Sequence, residues 1–148
     1  MDNAKSQAQA QYEEIAALLT ANNVDFDRLE ELSEMDVLDE SEQEEFDDLK
    51  EAAGEFTSND EALERIQETP LSIEFRSGWQ SYGEELTPSE FNILLCTGGP
   101  AVRIVGEIGE HGEAHRAWLE YQDWGTPWTQ HFIDSDALIE FANHHLGH

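Results

Sequence analysis

His111, Glu113 and His115 place three metal-ligating side chains within five residues of one another. The spacing differs from the helical metalloprotease pattern, in which a Glu directly follows the first of two His ligands, and the segment flanks an expected turn. These side chains read as solvated surface groups. His144, His145 and His148 form a C-terminal tract that can hold a transition metal casually without being built for one. The acidic stretches lack the Asp-x-Asp-x-Asp-Gly loop with a Glu at its twelfth position that calcium requires. Cys96, the single cysteine, sits in the apolar run Phe91-Asn92-Ile93-Leu94-Leu95-Cys96. It reads as a small buried hydrophobe and has no cysteine partner for an internal disulfide. Thr97-Gly98-Gly99-Pro100 is glycine-rich, but it joins two expected strands and the first cation after it is Arg103. A phosphate cradle needs a helix start, so a hairpin turn is the expectation. No catalytic constellation emerges, and the chain reads as a non-enzyme with neither cofactor nor metal.

Two groups of residues remain. The first is an acidic array: Glu30, Glu31, Glu34, Asp36, Asp39, Glu40, Glu42, Glu44, Glu45, Asp47, Asp48 and Glu51. Few lysines accompany it, so it does not have the composition of a surface laced with ion pairs. The second is aromatic: Trp79, Tyr82, Trp118, Tyr121, Trp124, Trp128 and Phe132. Trp and Tyr fill the cores of small sheets and also anchor interfaces. Trp79, Trp124 and Trp128, in expected loops, are the better interface candidates. Three arginines, Arg76, Arg103 and Arg116, are expected to pair with neighbouring carboxylates such as Glu74, Glu107 and Glu120.

The charge balance narrows the function further. The chain has 34 acids and 7 Lys and Arg in 148 residues, a formal net charge of −27. Nucleic-acid binding depends on cations that neutralise phosphates, so direct binding to DNA or RNA is disfavoured and basic protein surfaces are attracted. No apolar run approaches a membrane span, and the first residues show no basic-then-apolar pattern, so no secretion signal is expected. With a lone cysteine, a cytoplasmic location is expected.

The secondary-structure pattern divides the chain in two. Residues 1–70 hold 22 acids and 4 bases, and residues 71–148 hold 12 and 3. All four Trp and nine of ten Gly fall in the second part. Ala8 to Leu19 has the composition and apolar spacing of a helix, interrupted by Asn22-Asn23. A short helix starting near Asp25 follows. Ser41 with Glu44, and Ser58 with Glu61, match capping boxes, and Gly54 stands where a helix would end. Phe26, Leu29, Phe46, Leu49, Leu63 and Ile66 are expected to face inward. Past Thr69-Pro70 the pattern alternates. Strands are expected over 71–76, 91–96, 101–108, 114–121 and 129–133, with Trp118 set across from Arg116 and Glu120. Thr87-Pro88-Ser89-Glu90 is expected to cap one helical turn, and a last helix runs over 137–145. The fold class is therefore α+β: acidic N-terminal helices in residues 1–70, then a roughly four-stranded antiparallel sheet with a C-terminal covering helix in residues 71–148.

In its size, its charge and its lack of a catalytic motif, the chain resembles the nucleic-acid-mimic proteins of phages and plasmids, among them anti-restriction and anti-CRISPR inhibitors. The resemblance covers mainly residues 1–70 and carries no motif. It implies a non-enzymatic inhibitor whose acidic helices occupy the nucleic-acid channel of a basic nucleic-acid-binding protein. Two alternatives stand beside it: an adaptor that binds a basic partner through its Trp loops, and adaptation to high salt. A homodimer is compatible with all three.

Overall fold

A computed structural model describes residues 3–146; His148 of the C-terminal tract lies outside them. Helix α1 (Asn3–Asn22) ends at the two asparagines. Helix α2 (Phe26–Ser33) is capped by Asp25, whose side chain accepts the Arg28 N–H at 3.0 Å. Helix α3 (Glu40–Ala53) begins two residues earlier than the Ser41 signal implies. Its cap is Asp39, which accepts from the Glu42 N–H at 2.7 Å while the Glu42 carboxylate accepts from the Asp39 N–H at 3.0 Å. Asp39-x-x-Glu42 thus forms the capping box, with Ser41 inside the helix. Gly54 closes α3 at φ 58°, a left-handed conformation that suits glycine. Helix α4 (Asn59–Glu68) is capped by Ser58 as its sequence indicates, at 3.1 Å from the Glu61 N–H. The Glu61 side chain reaches Thr57 instead of closing the box.

Five strands follow: β1 (Ser72–Ser77), β2 (Pro88–Cys96), β3 (Ala101–Ile108), β4 (Ala114–Gln122) and β5 (Thr129–His131), then helix α5 (Asp136–Asn143). They form one antiparallel meander in the order β1-β2-β3-β4-β5. Phe91 opposes Gly106 and Ile93 opposes Ile104, so the expected hairpin around Gly98-Gly99 is present. No helical turn forms at Thr87 to Glu90. Pro88 instead opens β2, at the first position of a strand where its missing N–H costs no ladder bond. The last strand stops at His131, short of the expected 133.

Both α1 and α5 cover one face of the sheet. Ile15, Leu18 and Leu19 of α1 and Leu138, Phe141 and Ala142 of α5 close a core with Phe91, Ile93, Val102, Ile104 and Leu119, and Ile66 of α4 joins it. Gly106 lies on this inner face. A methyl group there would run into the Arg116 carbonyl and the Phe91 ring, so the close approach of β3 to both requires glycine. Helices α2 and α3 stand apart from this core. Leu32 and Ala53 are buried, but Phe26, Leu29, Phe46 and Leu49, expected inside, are only half-buried, as is Leu63 of α4. A two-helix projection has too few neighbours to enclose large side chains on every side. Among the described residues, no helix is long and apolar enough to cross a membrane.

Candidate functional site: the acidic face of the second and third helices

Helix α3 sets its carboxylates by its own geometry. Glu40, Glu44, Asp47, Asp48 and Glu51 recur at steps of three and four residues, which places them along one side of the helix. All five are exposed. At a rise of 1.5 Å per residue they span about 16 Å, close to one charge per ~4 Å, against roughly 3.4 Å per phosphate along one DNA strand. Among the described residues, none of the five takes part in an ion pair; Asp47 accepts a hydrogen bond from Gln43 at 3.0 Å. Lys50, the one cation on α3, sits 5.6 Å from the centre of the Phe46 ring.

The other members of the acidic array divide by circumstance. Glu30 and Glu34, one turn apart on α2 and at its end, are exposed, as are Asp36 and Asp39 in the connection to α3. Glu42 is half-buried and engaged in the capping box. Glu45 is also half-buried and holds Arg28 through two hydrogen bonds, Arg28 Nε to Oε2 at 3.0 Å and Nη2 to Oε1 at 2.9 Å. The same guanidinium donates to exposed Glu31 at 2.7 Å. The bond from Arg28 holds the Glu45 carboxyl below the usual carboxylate range, against partial desolvation that acts the other way. Arg28 therefore clamps α2 to α3 and neutralises two of the acids, while the outer stripe stays bare. Asn59 fixes the base of the projection: its Nδ2 donates to Asn22 O at 2.7 Å and Val24 O at 2.9 Å. Beneath it, Phe26, Leu29, Lys50 and Phe56 line an open groove of about 630 Å³ between α2, α3 and the loop into α4.

Trp124 and Trp128 differ as well. Trp124 is 81% exposed. Trp128 is half-buried under Arg103, whose guanidinium lies 3.9 Å from the ring centre. Arg103 also bonds Glu120, and Glu120 accepts the Trp118 indole N–H at 3.0 Å, so Trp128 belongs to a built stack on the outer face of the sheet. Trp118 shares that face with Arg116 and Glu120, not the opposite one, because residues two apart point the same way in a strand. Arg116 pairs with Glu107 at 3.0 Å. Arg76 pairs with Glu90, not with Glu74 on its own strand, because the register sets Glu90 directly opposite. That bond holds the Glu90 carboxyl below its usual range.

Trp79, expected in a loop, and Tyr82 beside it are the most exposed aromatics; both stand fully in solvent between β1 and β2. The glycines at 78 and 83 that bracket them were the available signal. Among the described residues, no three His, Cys, Asp or Glu side chains are grouped to hold a metal ion. Comparison with protein-family models, with curated proteins and with solved structures gives no match.

Proposed function

We propose that this protein is a non-enzymatic inhibitor that presents the acidic side of α2 and α3 in place of nucleic acid, and so blocks the basic groove of a nucleic-acid-binding protein. The observation that carries this is the unpaired stripe Glu40, Glu44, Asp47, Asp48 and Glu51. Its spacing works against the helix. Glu40 and Glu44, Glu44 and Asp48, and Asp47 and Glu51 are like-charge pairs four residues apart, each destabilising by roughly 0.2–0.5 kcal/mol. Glu51 also lies in the last turn, where the helix dipole favours cations; of the five only Glu40, in the first turn, is favoured by it. Charges that oppose local stability point to a role outside the fold. Anti-restriction and anti-CRISPR inhibition are the forms of host-defence blockade this reading favours.

A second reading rests on Trp124 and its exposure. In that case the protein is an adaptor, and the loop aromatics anchor the partner. One pair of variants separates the two. Glu44, Asp47, Asp48 and Glu51 are changed together to lysine in one protein and Trp124 to alanine in the other, and both are titrated against the same basic partner. The mimic loses binding with the charge reversal and keeps most of it with the Trp change; the adaptor shows the reverse order. Glu45 is left in place, because its reversal would break the Arg28 clamp and confuse loss of contact with loss of shape.

A further inference from the structure

Strand β1 is an edge. It bonds β2 on one side, and its other side presents a row of unpaired backbone groups. The opposite edge, β5, is only three residues long, a common way of blunting an edge, whereas β1 offers six. The single irregularity in its pairing, between Arg76 and Ser77, skips Ser89 of β2 and leaves β1 itself regular.

The sequence of this edge is complementary to itself. Set antiparallel to a second copy with Phe75 on the two-fold axis, β1 brings Glu74 opposite Arg76 of the other copy, and Arg76 opposite its Glu74. Phe75 meets Phe75. Leu71 and Trp79 stand just outside β1 at its two ends, so each Leu71 comes to the end of the pairing where the other copy's Trp79 lies. These are the residues the monomer leaves in solvent: Leu71 is 60% exposed, Phe75 50%, and Trp79 fully so. Tyr82 and Leu86, on the loop after β1, are exposed as well. Among the described residues Glu74 makes no ion pair, and Arg76 keeps three-quarters of its side-chain surface exposed beside Glu90. In a chain of net −27, residues 71–79 carry one acid and one base, so the segment itself is neutral.

We propose that two copies of this chain associate through β1, in antiparallel register about Phe75, to form one continuous ten-stranded sheet. The pairing joins the two sheets edge to edge, sets the two Phe75 rings together on one face, and leaves Leu71 and Trp79 flanking the paired strands at each end. On the other face two reciprocal Glu74–Arg76 pairs fix the register.

Sedimentation equilibrium of the full chain tests this. The wild type is expected at twice its 16.8 kDa monomer mass. Glu74→Arg and Arg76→Glu each set like charges opposite one another twice, and each weakens the dimer by about tenfold or more. An equimolar mixture of the two variants restores it, because each cross-strand pair then sets an arginine of one variant against a glutamate of the other. Restoration in the mixture excludes misfolding of either variant and reports the register directly. A wild type that stays monomeric up to millimolar concentration overturns the proposal, as do single variants that dimerise like the wild type or a mixture that fails to recover.

Discussion

Glu44 and Glu45 are neighbours in sequence and differ in every physical respect that matters. Glu45 faces α2 and is bound twice by Arg28; Glu44 faces solvent between Glu40 and Asp48. Glu44→Lys converts two like-charge pairs into attractive ones and is expected to stabilise the fold by about 1 kcal/mol at low salt, read as a rise in Tm. Glu45→Lys is expected to lower Tm, since it leaves Arg28 facing a second cation. If Glu44→Lys instead destabilised, the stripe would be supporting α3 and the inference that it serves a partner would lose its basis. Residue types alone could not separate these two acids. Both follow Ser41 in the same acidic stretch, and only the placement of Arg28, seventeen residues before Glu45, decides which one is neutralised.

Elements were legible in the sequence where a local signal was unique, and ambiguous where two signals competed. Ser58 alone in the run Thr57-Ser58-Asn59-Asp60 has a Glu three positions on, and it caps α4. At α3, Asp39-x-x-Glu42 and Ser41-x-x-Glu44 overlap, and Asp39 prevails in an extended backbone that the helix can start from. Asp39→Ala is expected to cost about 1 kcal/mol, while Ser41→Ala, inside the helix, leaves stability nearly unchanged. Urea denaturation of the two variants checks this, and equal effects would mean that the cap is shared. Pro88 was ambiguous in the same manner: the first turn of a helix and the first residue of a strand both accept a residue without an N–H. The pairing of Ser77 with Pro88 resolves it, and that is a long-range fact absent from any window of sequence. Exposure of Leu71 and Phe75 was hidden for a related reason. Alternation identifies a strand, but only its place in the sheet order shows that β1 is an edge.

For the molecule as a whole, charge and architecture act together. The sheet, α1, α4 and α5 share one apolar core, and α2 and α3 project from it with the bare stripe outward. This division explains how a chain of net −27 folds: the apolar set is concentrated in one body and the acids lie on surfaces where water and salt screen them. It also gives the account its most direct test. A basic DNA-binding partner is bound to labelled duplex DNA, and this protein is added while the complex is followed by gel shift. The protein alone is expected to leave the DNA unshifted. Added to the complex, it is expected to release free DNA in proportion to the amount added, with no intermediate species, and to do so less effectively as salt rises. A slower-migrating complex containing DNA, partner and this protein together would contradict the account, because a mimic and the nucleic acid it replaces cannot occupy one groove at the same time.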